Sequence, residues 1–371
     1  MNTKKIVTVI GARPQFIKAS AVSAVLAESG QLCETVVHTG QHFDANMSDV
    51  FFAELGMKPP AYQCGIHGGT HGVMTGRMLI DIENILLLEK PDAVLVYGDT
   101  NSTLAASLAA VKLHIPVAHV EAGLRSFNMR SPEEVNRILT DRVSRWLFTP
   151  NHEAGVHLLS EGASADRIHQ VGDVMLDVAL RHGARVTPDG GVLGRLRDEH
   201  GVRAREYCLA TIHRAENTDD PVRLTTIVEA LSRFASDIDV VLPLHPRTRS
   251  TLAKQGKLKA LQNAVVVLDP LGYLPMVQLE KYAAIIATDS GGVQKEAFFY
   301  GVPCVTLRDE TEWTELVDAG WNRLTPPVDA ASVLHSLQAS LGLGLTGKDI
   351  APYGVGDAAT RIVKRLSDEL A

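Results

Sequence analysis

The chain alternates short apolar runs with helical patterns, and this alternation occurs in two successive series. Such runs, bounded by turn residues, are typical of buried strands in a parallel sheet. At 371 residues, 45% of them apolar, the chain is long enough for two α/β cores of ordinary size. The predicted strands are residues 6–10, 34–38, 93–97, 116–120, 146–149 and 168–171, then 207–212, 240–244, 265–268, 285–288 and 304–307. The sequence therefore predicts an α/β protein with two Rossmann-like, doubly wound parallel-sheet domains.

The two series are separated by a poorly periodic passage, residues 187–191, which contains Gly and Pro. We therefore predict an N-terminal Rossmann-like domain over residues 1–185 and a C-terminal one over residues 186–355. The last segment, residues 357–370, has the apolar spacing of an amphipathic helix but no strand partner. We expect residues 356–371 to cross back to the N-terminal domain.

The composition indicates which kinds of partner and which cell compartment to expect. A net charge of −7 and a pI near 6.1 argue against nucleic acid, because nucleic-acid-binding proteins carry a basic face that neutralises phosphates. No apolar run approaches the ~20 residues of a membrane span, and the N-terminus lacks a signal-peptide core. The four cysteines are scattered without a CxxC pair, which indicates reduced thiols. We expect a cytoplasmic protein with neither nucleic acid nor membrane as its partner.

Three carboxylates occupy strand-exit or loop positions between Val96 and Arg137: Asp99, Glu121 and Glu133. Asp99 and Glu121 each follow an apolar run, so both should lie at the carboxyl edge of a parallel sheet, where open α/β folds bind ligands. Crowded carboxylates raise one another's pKa, which provides a general acid and a general base near neutral pH. The chain has no GxSxG sequence and no cysteine in an electropositive turn, so acyl-enzyme chemistry lacks support. The pattern favours proton transfer.

Each half also carries a turn suited to an anion. Residues 11–18 (GARPQFIK) follow the first strand and open a helix, so backbone N–H groups with Arg13 and Lys18 could meet a phosphate. An ordinary βα turn with solvated basic residues explains this motif equally well. In the second half, residues 289–292 (DSGG) follow an apolar strand, and Gly291 and Gly292 beside Ser290 allow close backbone approach to an anion. Together the two turns suggest a diphosphate held in a cleft between the halves.

Three further polar residues, Glu296, His213 and His245, lie close after predicted strands or turns and are candidates for a functional role. Glu296, in the helix after the glycine turn, could bond ribose hydroxyls or be a solvated surface residue. His213 and His245 both follow predicted strands; a catalytic and a structural role are equally open for His213, and a structural role or a base contact for His245. His213 and Glu216 could form half a metal site, but nothing completes it, so we expect no metal. No GxGxxG sequence directly follows a predicted strand, which argues against a bound dinucleotide.

Seven motifs then occur in order: GARPQFIK, TGQH, GDTNS, HVEAGLRS, PEEVNR, HRAEN and DSGGVQKE. With them the chain closely resembles the non-hydrolysing UDP-N-acetylglucosamine 2-epimerase family over nearly its whole length. That family is similar in architecture to the two-domain glycosyltransferases of the GT-B type. The resemblance implies two domains facing across a cleft, a UDP-sugar substrate, no cofactor, and a homodimer.

The resemblance also implies a reaction and a set of residues. UDP leaves by anti elimination, a 2-acetamidoglucal-type alkene forms, and UDP adds back after the other face of C2 is protonated, which requires two proton-handling groups. By resemblance, the acid/base set is Asp99, Glu121 and Glu133, and His213 supports the departing diphosphate. The UDP-holding positions matched are Arg13, Lys18, Ser290, Gly291, Gly292 and Glu296, and Asn136 and Arg137 match the surroundings of the PEE motif.

Departures from the simple family pattern favour a particular substrate. Simple UDP-N-acetylglucosamine epimerases tend to have TTERPE where residues 310–315 here are ETEWTE, so Trp313 replaces an arginine. This variant, with HFDANMSD at residues 42–49, resembles the branch acting on UDP-2,3-diacetamido-2,3-dideoxyglucuronate. Arg125, Arg130 and His71 are candidates for binding a substrate carboxylate. The alternatives are UDP-N-acetylglucosamine as substrate and, more remotely, a GT-B glycosyltransferase.

Overall fold

The computed structural model describes residues 3–41, 52, 54–341 and 350–371, and the chain divides into two compact units. The first unit comprises Met1–Val178 and Ala351–Ala371, and the second comprises Ala179–Ile350. The expected boundaries after residues 185 and 355 fall a few residues later than these.

The first unit is built on a parallel sheet. Its strands are β1 Lys4–Ile10, β2 Leu32–His38, β3 Tyr62–Gln63, β4 Ala93–Tyr97, β5 Val117–Val120, β6 Trp146–Thr149 and β7 Ile168–Gln170. Its helices are α1 Arg13–Ser29, α2 His71–Glu89, α3 Asn101–Lys112, α4 Pro132–Val143, α5 His152–Ser160 and α6 Val174–Gly183, which runs past the unit boundary. The strand order is β3-β2-β1-β4-β5-β6-β7, so the order reverses between β1 and β4. Ligands of doubly wound sheets bind at such a reversal.

The second unit repeats this topology. Its strands are β8 Tyr207–Thr211, β9 Asp239–Pro243, β10 Val266–Leu268, β11 Ile285–Thr288, β12 Cys304–Thr306 and β13 Asn322–Leu324. Its helices are α7 Gly191–His200, α8 Ala215–Thr218, α9 Pro221–Phe234, α10 Pro246–Lys254, α11 Leu258–Ala264, α12 Tyr273–Lys281, α13 Gly291–Phe299, α14 Thr314–Asp318 and α15 Ala330–Leu341. The order β10-β9-β8-β11-β12-β13 is parallel throughout and reverses between β8 and β11. The predicted pair of doubly wound parallel sheets is confirmed.

Burial explains why the central strands were predictable and two edge strands were not. All five residues of β4 and of β8 are buried, because helices cover both faces of the sheets, and such strands are continuously apolar. The sequence prediction missed β3 and β13. Both are short edge strands with polar residues, and their pairing depends on the neighbouring strand rather than on an apolar pattern of their own.

The final helix, α16 Ala358–Leu370, belongs to the first unit and packs against α1. Its buried face includes Ile362, Val363 and Leu366, at the spacing of an amphipathic helix. Asp177 in α6 accepts hydrogen bonds from the backbone N–H groups of Ala358 at 3.2 Å and Ala359 at 2.9 Å, at the amino end of α16. Burial nevertheless raises the pKa of the Asp177 carboxyl to about 6, because desolvation outweighs these two bonds.

The raised pKa of Asp177 predicts a pH-dependent effect on stability. Between the ordinary pKa of 3.8 and about 6, the folded state holds a proton that the unfolded chain has lost. The stabilising contribution is therefore complete below pH 3.8 and is lost as pH rises through 6. We expect the unfolding temperature of Asp177→Asn to rise relative to that of the wild type as pH rises from 4.5 to 7. Above that pH the difference between the two proteins should level off. A difference independent of pH would contradict this reading of Asp177.

Candidate active site

The predicted polar residues lie at the carboxyl ends of the central strands of both units. In the first unit Asp99 follows β4 and Glu121 follows β5; in the second, His213 follows β8 and Asp289 follows β11. Strands β4 and β8 each border the point where their sheet reverses its order. The chain therefore presents its titratable residues where doubly wound folds bind ligands.

Asp99 is held by two residues of α4. Its carboxylate forms an ion pair with Arg137, and Asn136 Nδ2 donates a hydrogen bond to the Asp99 backbone oxygen at 2.9 Å. Burial alone would lower the pKa of Arg137, but the nearby Asp99, Glu134 and Glu121 carboxylates raise it. The PEEVNR motif thus supplies the cation and the amide that orient Asp99.

Glu121 forms an ion pair with Lys18 of α1, and both side chains are largely buried. Glu121 has a φ of 72°, an uncommon conformation for a residue with a side chain. Gly98 faces this pair: a Cβ built at Gly98 would lie 3.2 Å from Glu121 Oε2 and 3.7 Å from Lys18 Nζ. Glycine suits this position of the turn after β4 because a side chain would crowd the ion pair and because φ is 60° there.

The backbone amides at the start of α1 are not free, which corrects one expectation. Gln15 Oε1 accepts hydrogen bonds from Gly11 N at 2.8 Å and Ala12 N at 3.0 Å. Gln15 Nε2 in turn donates to the Tyr97 backbone oxygen at 2.8 Å, which ties this turn to the end of β4. These two amides are therefore engaged by Gln15, and anion binding by the side chains of Arg13 and Lys18 stays a prediction.

The two adjacent glutamates of the PEE motif have different environments. Glu133 is exposed, and its carboxylate accepts a hydrogen bond from Ser131 Oγ at 2.6 Å. Glu134 is 1% exposed, accepts bonds from Ser126 N, Ser126 Oγ and Phe127 N, each at 2.9 Å, and pairs with Arg137 at 2.8 Å. Burial would raise the pKa of Glu134, but these bonds and Arg137 hold it below its usual value. Glu134 anchors the loop, and Glu133 remains accessible.

The sequence prediction missed His119, which lies inside β5 and is fully buried. Its Nδ1 lies 2.7 Å from Asp141 Oδ1, and its Nε2 lies 2.7 Å from the backbone oxygen of Gly98. Gly98 immediately precedes Asp99, so this histidine fixes the turn that carries the carboxylate. A polar residue within the otherwise apolar run of residues 116–120 was the signal that could have revealed it.

The three candidates for binding a substrate carboxylate have different environments in the structure. Arg125 is 7% exposed and forms ion pairs with Asp141 at 2.7 Å and Glu161 at 2.6 Å, so its charge is already compensated. His71 and Arg130 are exposed, and His71 Nδ1 lies 3.2 Å from Asn101 Nδ2. These ion pairs and its burial disfavour Arg125 as the cation for a substrate carboxylate, and His71 and Arg130 stay predictions.

In the second unit, a buried carboxylate arranges the histidine loop. Asp289 is fully buried and accepts hydrogen bonds from the backbone N–H groups of His213 and Arg214 and from Asn217 Nδ2, each at 3.1 Å. Burial would raise the pKa of Asp289, but bonds from His213, Asn217 and the Arg214 amide hold it below its usual value. His213 itself is exposed, and its ring centroid lies 6.3 Å from that of His245.

The glycine turn follows Asp289 directly. Ser290 is the N-cap of α13, with its Oγ 3.5 Å from Val293 N, and Gly291 and Gly292 form the first turn. Glu296, one turn further, is 6% exposed and accepts a hydrogen bond from Tyr273 Oη at 3.2 Å. The alternative that Glu296 is a solvated surface residue is therefore wrong.

Within residues 3–41, 52, 54–341 and 350–371, no three His, Cys, Asp or Glu side chains are grouped so that they could hold a metal ion. Over the same ranges no helix has both the length and the apolar character needed to cross a membrane. The HFDANMSD motif, residues 42–49, lies outside the described residues.

The fold and the residues at the strand ends define a two-domain parallel α/β enzyme of GT-B-like architecture. A family model described as UDP-N-acetylglucosamine 2-epimerase matches residues 24–367. The UDP-2,3-diacetamido-2,3-dideoxy-D-glucuronate 2-epimerase of Pseudomonas aeruginosa is 56% identical over 367 residues, covering 98% of this chain and 99% of that protein. The UDP-N-acetylglucosamine 2-epimerase of Methanocaldococcus jannaschii is 41% identical, with coverages of 98% and 99%.

Solved structures agree with these relatives. The crystal structure of the Methanocaldococcus jannaschii UDP-GlcNAc 2-epimerase with UDP-GlcNAc and UDP superposes with a TM-score of 0.87 at 40% identity, covering 98% of this chain and 99% of that one. The Neisseria meningitidis enzyme bound to UDP-GlcNAc gives a TM-score of 0.87 at 31% identity, with coverages of 98% and 100%. The chain belongs to the UDP-N-acetylglucosamine 2-epimerase family, and it is an isomerase, a UDP-sugar 2-epimerase. The predicted family and enzyme class are confirmed.

The contrast between the adjacent glutamates gives a matched pair of variants. Glu134→Gln replaces one acceptor oxygen by an amide that faces donors, so we expect a loss of about 1–3 kcal/mol in the free energy of unfolding. Glu133→Gln, in an exposed position, should leave stability within about 0.5 kcal/mol of the wild type. Denaturant unfolding of both variants measures the difference, and equal stabilities would contradict the anchoring role of Glu134.

Proposed function

We propose that this enzyme inverts C2 of UDP-2,3-diacetamido-2,3-dideoxy-glucuronate to give the mannuronate epimer, without a cofactor. The observation that carries the substrate assignment is the 56% identity, over nearly the full length of both chains, to a relative named for that sugar. Relatives named for UDP-N-acetylglucosamine are less similar: a UDP-N-acetylglucosamine 2-epimerase homolog of Methanococcus maripaludis is 49% identical over 86% of this chain, and the Methanocaldococcus jannaschii enzyme is 41% identical. Trp313, in place of the arginine of the simple epimerase pattern, supports the same assignment.

The chemistry explains why several carboxylates are needed. The C2 proton of an acetamido sugar is not acidic, because no carbonyl group is adjacent. When the bond between C1 and the β-phosphate oxygen breaks, its electron pair leaves with UDP and C1 becomes oxocarbenium-like. A base then removes the C2 proton and the C1–C2 double bond forms. An acid delivers a proton to the opposite face of C2, and the UDP oxygen attacks C1 again. Two proton-handling groups are required.

Asp99, Glu121 and Glu133 are the proposed acid/base set. Asp99 forms an ion pair with Arg137, and Glu121 forms one with Lys18, so each carboxylate lies beside a cation. Glu133 is exposed at the start of α4, with a serine hydroxyl as its bonded neighbour. Three carboxylates in three different environments can provide both a base and an acid at one pH.

The residues proposed to hold UDP are found in each of the two units. The first unit contributes Arg13 and Lys18 from α1, with Asn136 and Arg137 from α4. The second contributes His245 for the nucleotide, Ser290, Gly291 and Gly292 at the amino end of α13 for the diphosphate, and Glu296 for the ribose. His213 supports the departing diphosphate, and its loop is fixed by Asp289.

The substrate and the reaction can be tested in one experiment. We expect incubation in D₂O to place one deuterium at C2 of the product, because the proton returns from a group that exchanges with water. We expect UDP-2,3-diacetamido-2,3-dideoxy-glucuronate to be converted at least ~10-fold faster than UDP-N-acetylglucosamine. Mass spectrometry of both reactions measures rate and isotope together. Inversion without deuterium would exclude the mechanism, and faster turnover of UDP-N-acetylglucosamine would favour the alternative substrate.

The same assay, applied to variants, tests the roles of the proposed residues. Asp99→Asn, Glu121→Gln and Glu133→Gln should each lower turnover by at least ~10²-fold while UDP binding persists. Arg13→Ala should instead weaken UDP binding. Unchanged turnover in all three carboxylate variants would indicate a nucleotide-sugar binding protein rather than an enzyme of this mechanism.

The proposed compartment is the cytoplasm, and the proposed use of the product is surface polysaccharide such as lipopolysaccharide. All four cysteines, Cys33, Cys64, Cys208 and Cys304, are free thiols, which supports a reducing compartment.

We further propose a homodimer that uses the outer face of α2. Val73, Ile80 and Leu87 recur every seven residues on this helix and are 53%, 59% and 54% exposed, and Leu88 is 70% exposed. Such an apolar stripe supports self-association. In an antiparallel pair about a two-fold axis through Ile80, Val73 of one copy would face Leu87 of the other.

The dimer proposal predicts that a charge in this stripe gives monomers. We expect Ile80→Glu to sediment as a monomer at concentrations where the wild type is a dimer, because two buried carboxylates would face each other across the two-fold axis. Val222→Glu is the control, since Val222 is a 68% exposed apolar residue on α9 in the second unit. A dimeric Ile80→Glu protein would locate the interface elsewhere.

A further inference from the structure

The segment that carries Trp313 contacts the amino end of α13 at several points. Trp313 Nε1 donates a hydrogen bond to the Gly291 backbone oxygen at 3.0 Å, and Thr311 Oγ1 lies 2.7 Å from Gln294 Oε1. Gln294 Nε2 returns a bond to the Ser290 backbone oxygen at 3.3 Å. The first turn of α13 is thus tied to the loop before α14 through residues 311–313.

Lys295 holds the indole ring of this segment. Its ammonium lies 4.1 Å from the centroid of the Trp313 ring, and the two residues are 2% and 5% exposed. A cation over an indole face interacts with the ring quadrupole, and the interaction is stronger where water is excluded. A buried lysine in contact with an aromatic ring is therefore a means of fixing the plane of that ring.

The orientation of the ring matters because of what surrounds Gly291. A Cβ built at Gly291 would lie 3.7 Å from both Trp313 Nε1 and Arg214 Nη2, and 3.8 Å from Glu312 Oε2. Glu312 pairs with the buried Arg308 at 2.9 Å. The glycine turn is thus enclosed by side chains of the second unit, with the indole on one side.

We propose that Lys295 and Trp313 are positioning residues for the diphosphate of the substrate. Lys295 fixes the indole, the indole N–H fixes the carbonyl of Gly291, and the amides at the start of α13 are thereby oriented before the ligand arrives. Neither residue needs to contact the ligand. This inference rests on the proposed function, in which Ser290, Gly291 and Gly292 hold the diphosphate.

The test compares UDP with uridine, which has no phosphates, by calorimetric titration of the full-length chain. Lys295→Met removes the charge at similar length, and Lys295→Arg keeps a cation over the ring. Trp313→Phe keeps a ring beneath the ammonium but removes the N–H that bonds to Gly291. We expect Lys295→Met to weaken UDP binding about tenfold and uridine binding less than about twofold. Lys295→Arg should stay within about threefold of the wild type for both ligands.

Trp313→Phe decides the inference if Lys295→Met does not fold, as judged by its thermal unfolding. It should lose about fivefold in UDP affinity with uridine binding unchanged. Equal losses for UDP and uridine, or no loss for UDP in a folded variant, would overturn the positioning role while leaving UDP binding by the wild type intact. A wild type that binds no UDP would instead overturn the proposed function, and this inference with it.

Discussion

Compensation of charge at partly buried strand ends is the constraint on which the rest of this structure depends. The reversal of strand order brings titratable residues to one edge of each sheet, and helices cover the faces on either side. An isolated charge in such a position would cost several kcal/mol. Asp99 accordingly pairs with Arg137, and Glu121 pairs with Lys18. The cations that the sequence indicates for anion binding are therefore also the partners of the proposed catalytic carboxylates.

This double use links ligand binding to proton transfer. In the proposed function, a diphosphate bound near Lys18 or Arg137 would compete with Glu121 or Asp99 for the same cation. The proposed ligand positions and the proposed acid/base groups therefore depend on the same two cations.

The sequence predicted the central strands, the doubly wound class of both sheets and the strand-end residues, because each of these predictions follows from a local pattern. An apolar run followed by a turn is visible without tertiary information, and Asp99, Glu121 and His213 follow from it. The features that were missed depend on distant partners. Gln15 occupies the amides of Gly11 and Ala12 because its own amide is held by Tyr97, far away in sequence. From the sequence, Arg125 was a candidate for binding a substrate carboxylate, but in the fold it forms ion pairs with Asp141 and Glu161.

Topologically equivalent aspartates show how the two units use one fold differently. Strands β4 and β11 occupy the same place in their sheets, and an aspartate follows each of them. Asp289 is fully buried and surrounded by donors from the His213 loop, so its pKa is held low and it is suited to fixing the loop rather than to exchanging a proton. Asp99 remains partly exposed, with one guanidinium and no comparable set of backbone donors among the described contacts. In the first unit the turn is held by the hydrogen bond between His119 and the Gly98 backbone oxygen, which leaves the Asp99 carboxylate partly exposed.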